Sequence, residues 1–568
     1  MRQIVLDGYT VSEEEPKVPL RTSTGVPSFL RRGQTPYYAA LLVILIIALA
    51  LRVPMGMSRV ILHDEFYHYF AGLSFAQDGT FTIGTGHYVR AAPYTALTGL
   101  SMLAFGDGLL ALRLPAMISG ILLVASVALW LQRWSRPAAL IAAGLMAIDT
   151  FGLQLAGFAR FYTLHALMVW LASIGTYALI TQPRPPFRKA LLAAGIAGAL
   201  ALALDLQILT LISIVALALW AVLDFAIAPH GRARALFGRK LILTLVVLAC
   251  IALAILAMSP LGELATSLYD RFWNAALWSQ GSQSDYLFYF QSLRSYGLLT
   301  YLFPVALVAA WRFDRRMALF LAMMFVVPVL IASIAPQKAP RYIFYAIPFF
   351  LAIWAIAAAW ALDAATQHAS RRNLPGWSAP ALLLAMAVLL VGSAYNFRSN
   401  AARLKTFAQT GDVVSREEMR KSRNFDWAPW TPMLRQAVSG AERLVGVDDM
   451  RTLYFLGRLD LMLNRTVQWD LTQQEFARDT RTGVLMASQP RSIELYIRCT
   501  RSGAIIVPEG RWREFSVIPS TADAIQRHAT RVNLPADAPF QVYRWNNRSV
   551  PQTGDCAAAP FRRGRQAA

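Results

Sequence analysis

The stretch Ile61-Leu62-His63-Asp64-Glu65-Phe66-Tyr67-His68-Tyr69-Phe70-Ala71 sets two adjacent carboxylates among aromatic rings. Read as a helix, it puts Asp64 and His68 at i and i+4 on one face, with Glu65 and His68 at i and i+3. The aromatic remainder suits a helix lying on a bilayer surface. A carboxylate there is partly withdrawn from water, which is expected to raise its basicity and fit it to take a proton from a nucleophile. The order of His63, Glu65 and His68 does not match the H-E-x-x-H zinc motif. A Glu-x-x-His pair of the di-iron kind would need a second copy, which the sequence lacks. Asp64 or Glu65 could still hold a hard divalent cation, and no other cofactor is expected.

Cations stand at the ends of later apolar runs. Arg160 lies in Phe158-Ala159-Arg160-Phe161-Tyr162, and Lys338 and Arg341 in Pro336-Gln337-Lys338-Ala339-Pro340-Arg341-Tyr342. Singly, such residues often only reach toward headgroups. Together with acids on the same side, they can bind a lipid phosphate, arginine doing so bidentately. Arg113, in Leu112-Arg113-Leu114-Pro115, falls inside an apolar run. A buried charge needs a partner, and Asp107 and Asp149 are the expected ones.

These groups have to be positioned by membrane helices. Of the 568 residues, 56% are hydrophobic and only 15% charged. A span needs about 20 apolar residues. Eleven candidates lie near residues 37–54, 109–131, 137–157, 161–181, 189–206, 208–228, 240–259, 296–311, 317–335, 343–363 and 378–395. The net charge of +21 would suit nucleic-acid binding in a soluble chain. Here the basic residues gather in alternate short loops, at Arg31-Arg32, Arg133 and Arg136, Arg184 to Lys189, Arg232 to Lys240, Arg312 to Arg316, and Arg371-Arg372. That pattern places those loops and the N-terminus in the cytoplasm, makes membrane lipids the partners and excludes nucleic acid. The first run reads as an uncleaved signal anchor.

Three regions follow. Residues 1–36 form a disordered cytoplasmic tail, residues 37–395 a polytopic α-helical membrane domain, and residues 396–568 an extracytoplasmic α/β domain. In the last, residues 443–447, 466–471, 504–508 and 540–545 read as strands, and 451–459 and 491–501 as helices. Cys499 and Cys556 both fall there, where an oxidising compartment would let them pair; the sequence leaves their pairing open.

In this order, Asp64-Glu65 followed by Tyr67, Arg113-Leu114-Pro115, Ala159-Arg160-x-Tyr162 and Lys338-x-x-Arg341-Tyr342 resemble the GT-C type membrane glycosyltransferases. The branch resembled is that of protein O-mannosyltransferases and lipid A aminoarabinose transferases, over residues 37–395. The resemblance implies a GT-C-like fold, a polyprenyl-phosphate-linked sugar as donor, a hydroxyl acceptor, and reaction on the extracytoplasmic face of the inner membrane. It makes Asp64 the catalytic residue, Glu65 a supporting or metal-contacting one, and Lys338, Arg341 and Arg160 the donor-phosphate residues. His68, Tyr162, Arg90 and Tyr342 are the expected substrate contacts. One departure is His87-Tyr88-Val89-Arg90-Ala91-Ala92-Pro93-Tyr94, where many relatives carry a His-Pro-Pro-Leu-like sequence, so sugar and acceptor are not carried over. The rival expectation is a lipid or glycolipid flippase, against which stands the absence of an internal repeat.

Overall fold

In a computed structural model of the chain, residues 35–227 and 284–372 are described, as are 375–558 apart from 376–380, 382–383, 386–387, 390, 394, 396, 415–424, 464–474, 488, 514–515 and 552. The first apolar run is α1, Thr35–Gly56. Outside the bundle come α2, His63–Asp78, a short hairpin of β1, Thr82–Ile83, and β2, Gly86–His87, and α3, Ala92–Phe105. The chain re-enters as α4, Leu109–Leu131, and returns as α5, Arg136–Ile148, and α6, Thr150–Ala156, which meet at a 60° bend. Asp149 makes that bend, since its carboxylate accepts from the Gly152 N–H at 2.8 Å and caps α6. There follow α7, Tyr162–Thr181, α8, Pro186–Leu206, α9, Thr210–Ile227, α10, Phe303–Phe313, and α11, Arg315–Ile334. A 3₁₀ turn over Pro340–Ala346 then leads into α12, Ile347–Arg371.

Six of these helical segments are long and apolar enough to cross a bilayer, and the bent pair α5–α6 makes a seventh. The apolar runs expected near 208–228 and 296–311 appear as the shorter helices α9 and α10. The run at 240–259 and the tail 1–34 lie outside the described residues, as does much of 378–395. Aromatic packing knits the bundle together. Trp130 meets Trp170 and Phe320, and Trp170 packs on Phe349 at 4.8 Å between ring centroids.

After α13, Phe397–Thr410, the chain builds a seven-stranded sheet in the order β5-β6-β4-β3-β7-β9-β8. Its strands are β3, Arg443–Gly446, β4, Leu461–Leu463, β5, Ala477–Arg478, β6, Leu485–Ala487, β7, Ser502–Pro508, β8, Thr530–Arg531, and β9, Phe540–Asn546. The central β6-β4-β3-β7 pairings are parallel, and the outer ones antiparallel. Helices α14, Asp449–Leu456, α15, Pro490–Arg498, and α16, Pro519–His528, complete the α/β arrangement expected from sequence. Three of the expected strands coincide with β3, β7 and β9; residues 466–471 lie outside the described ones. Cys499 and Cys556 form a disulfide.

The hairpin is seated directly on the sheet domain. A Cβ on Gly86 would stand 2.5 Å from the backbone nitrogens of Thr482 and Gly483, so only glycine allows the contact. Gly99 plays the same part between α3 and α2, where an added Cβ would meet the Gly72 carbonyl oxygen at 2.6 Å.

Candidate active site

The first turn of α2 carries both acids, and they face different surroundings. Glu65 is buried and fully engaged: it accepts from Arg113 Nε at 2.8 Å and Nη2 at 3.0 Å, from the Leu62 N–H at 2.9 Å and from the Ala159 N–H at 2.8 Å. The bond to Leu62 reaches back over the helix start, as the acid of a capping box does. Arg113, itself 1% exposed, also donates to the carbonyls of Gly56, Ser58 and Val60. The expected partners Asp107 and Asp149 are therefore corrected. Asp107 is exposed, and Asp149 is occupied by the α6 cap and the Tyr296 hydroxyl at 3.0 Å. Sequence proximity along the span suggested them, whereas α2 folding back over α4 brings Glu65 to the arginine.

Asp64 points the other way, its side chain 38% exposed, with Oδ2 3.5 Å from Arg160 Nη2. Burial pushes its carboxyl up, but Arg160, His63, Arg341 and Arg90 outweigh that and hold it down at about 2. The expectation of raised basicity is thus reversed, because the cations win over desolvation. Arg160 is 3% exposed and donates to the Tyr88 hydroxyl at 3.3 Å. Its guanidinium lies 5.0 Å from the Phe161 ring and 5.9 Å from Tyr162, and Arg90 sits over the other side of the group, 5.8 Å from Phe161. Arg341, at the start of the 3₁₀ turn, lies 5.6 Å from the Tyr342 ring and close enough to Asp64, Tyr162 and Arg160 for their charges to couple.

His68, one turn along α2, is fully buried. Its Nδ1 meets Thr95 Oγ1 at 2.9 Å, and its ring is edged by Tyr88 and Tyr94. Burial, helped by Arg160, pushes the imidazole well below its ordinary range and keeps it neutral. Lys338 is buried at the neighbouring turn, with its ammonium 5.7 Å from the Tyr286 ring and Asp285 as a nearby opposite charge. The fold thus gathers Asp64, Arg160, Arg341, Arg90, Tyr162 and Tyr342, sets His68 behind them, and directs Glu65 into the scaffold. Between the α5–α6 bend and the 3₁₀ turn, a cavity of about 180 Å³ is lined by Asp149, Phe151, Tyr296, Pro340, Ile343 and Tyr395, among others.

Several participants escaped the sequence reading. Tyr88 stacks on Tyr67 at 5.1 Å and holds Arg160, yet it appeared only as part of a departure from the family pattern. Asp412 accepts from Ser58 Oγ at 3.0 Å and from the Arg59 N–H at 2.9 Å. Arg451 of α14 donates to the Ile61 carbonyl and lies over Phe66 at 5.5 Å. The acidic pair Asp448-Asp449 stands against His63, with Nδ1 3.9 Å from Asp448 and Nε2 3.7 Å from Asp449. These three groups are a potential cation-binding set among the described residues, and Asp64 and Glu65 are not in it.

No family model matches the chain, and no curated protein does. Solved structures do. ArnT from Cupriavidus metallidurans bound to undecaprenyl phosphate superposes with a TM-score of 0.58 at 14% identity, covering 90% of this chain and 98% of that one. The fold is that of the GT-C glycosyltransferases. The archaeal oligosaccharyltransferase AglB from Archaeoglobus fulgidus, in complex with an inhibitory peptide and a dolichol-phosphate, gives 0.53 at 13% identity, covering 91% of this chain and 75% of that one. At these identities the likeness is one of fold, and it extends across the GT-C membrane helices into the sheet domain.

Proposed function

We propose that this protein is a GT-C glycosyltransferase that moves a sugar from a polyprenyl-phosphate donor to a hydroxyl acceptor on the extracytoplasmic face of the inner membrane. The observation that carries the reading is one half-exposed carboxylate, Asp64, ringed by Arg160, Arg90 and Arg341 at the mouth of an apolar bundle. The ligands named for the fold neighbours, undecaprenyl phosphate and dolichol-phosphate, support the choice of donor class. The acceptor oxygen attacks the anomeric carbon, the bond from that carbon to the phosphate oxygen breaks, and the acceptor proton passes to Asp64. Arg160 and Arg341, with Lys338 at the neighbouring turn, take up the charge that develops on the departing phosphate. Tyr162, Tyr342 and Arg90 line the sugar side, with His68 behind them. Glu65 is a positioning residue, holding through Arg113 and Ala159 the two strands of backbone that carry Asp64 and Arg160.

A base held near 2 by its arginines is a poor one. A donor phosphate lodged between Arg160 and Arg341 would absorb that field, so loading of the donor would restore the basicity of Asp64. The same reading takes eleven spans, a cytoplasmic N-terminus, and an extracytoplasmic α/β domain from about residue 396, as the basic loops imply. The deciding assay supplies purified protein with a panel of polyprenyl-phosphate sugars and acceptors and measures polyprenyl phosphate release. Release that depends on the acceptor is expected. Lipid scrambling without any new glycosidic bond would replace this reading by the flippase one.

A further inference from the structure

His63 precedes Asp64 at the seam between α2 and the sheet domain. One imidazole nitrogen and one oxygen each from Asp448 and Asp449 lie within 4.8 Å of one another. Both carboxylates are 1% exposed, and His63 is 33% exposed on its side chain, which leaves a path from solvent. The two acids differ in how they are held. Asp448 caps α14 and gives Oδ2 to Arg451 at 2.7 Å and to Arg511 at 3.2 Å. Its Oδ1 accepts from the Arg451 N–H at 3.3 Å and also faces His63.

Neither oxygen of Asp449 accepts a hydrogen bond among the described residues, although both are buried. Arg481, the next cation along, is taken up by Asp479 through both oxygens, at 3.0 and 2.6 Å. A buried carboxylate without donors is costly. The 3.7 and 3.9 Å separations from His63 are too long for hydrogen bonds to answer that cost. One imidazole nitrogen and one oxygen of each acid, all within 4.8 Å of one another, can instead close on a first-row divalent ion with bonds of about 2.0–2.2 Å by a small inward movement of the side chains.

We propose that His63, Asp448 and Asp449 bind a zinc-class divalent ion that ties the helix bearing Asp64 to the sheet domain. The inference does not rest on the proposed transfer reaction. One imidazole nitrogen and two carboxylate oxygens form the protein ligand set, a remaining position falls to water, and Arg451 and Arg511 orient Asp448 from behind. The ion sits between two parts of the chain, so its effect is to hold them together.

The test uses the full-length protein, purified without a histidine tag, stripped with a chelator and returned to zinc chloride. About one zinc per chain by mass spectrometry and a rise in Tm on zinc addition are expected. Asp449→Asn and His63→Gln should each weaken zinc binding by about 100-fold or more, beyond what loss of an outer-shell partner costs. Cobalt chloride added to the stripped wild type should give a visible absorption band, which needs no variant to fold. A folded wild type that retains no more zinc than Asp449→Asn would overturn the site. So would a Tm that ignores zinc but rises as acid protonates His63, which would make the cluster an imidazolium held between two carboxylates.

Discussion

Two ion pairs one residue apart divide the first turn of α2 into a floor and a rim. On the floor, Glu65 and Arg113 are each 1% exposed, and the carboxylate has four donors between 2.8 and 3.0 Å. On the rim, Asp64 and Arg160 stand 3.5 Å apart with the acid 38% exposed. Saturated and buried, the floor has no lone pair left for chemistry; underfilled and open, the rim has room for a substrate. Adjacent carboxylates thus separate into a saturated one and an open one, the latter the proposed base, by which way the helix turns them.

The largest effect should come from the floor. Glu65→Ala leaves the Arg113 charge buried and alone, a loss of about 3–5 kcal/mol. It should appear as a much lower Tm or as aggregation on size-exclusion chromatography. A Glu65→Ala protein as stable as wild type would dissolve the division between floor and rim. At the rim the effect should fall on rate instead. Asp64→Asn should lower transfer by about 10²-fold or more while Tm and donor binding stay close to wild type; near-normal turnover would move the base elsewhere.

A smaller change tests the other half of the rim. Arg341→Ala should weaken binding of a polyprenyl phosphate by about 10- to 100-fold, in line with a charge-assisted contact worth about 1.5–3 kcal/mol. Equal affinity in the two proteins would remove Arg341 from the donor site. The smallest effect concerns His68, behind the rim. Its imidazole stays neutral in the folded protein, whereas in the unfolded chain it takes a proton near pH 6.5. The unfolded state therefore binds more protons below that pH, and stability falls as pH drops, by at most about 1.4 kcal/mol per unit. His68→Asn should flatten the loss of Tm between pH 7 and 5, and an unchanged slope would assign the acid sensitivity to other groups.

The legible part of this chain was its periodicity. Apolar runs such as 109–131 and 317–335 announce their helices, and the alternating segments at 443–447 and 540–545 their strands. The gathering of Asp64, Arg160 and Arg341 was also legible, since acids and cations stand at ends of apolar runs that fall on one side. Partner choice was not. Arg113 appeared to need an acid on its own or a neighbouring span, and its partner came from a helix that doubles back outside them. Nor could the sign of the shift at Asp64 be read from its aromatic neighbours, because the arginines that set it come from residues 90, 160 and 341.

The bond from Arg451 to the Ile61 carbonyl joins residues 390 positions apart. Contacts of such range close late, after the intervening chain has been made and most of it placed. The start of α2, and with it Asp64, therefore receives its last anchor only when α14 has folded. During synthesis the membrane helices can insert while the rim is still unfinished. A chain cut short before residue 449 would keep the arginines and lose the brace on the acid, so the start of α2 depends on chain made long after it.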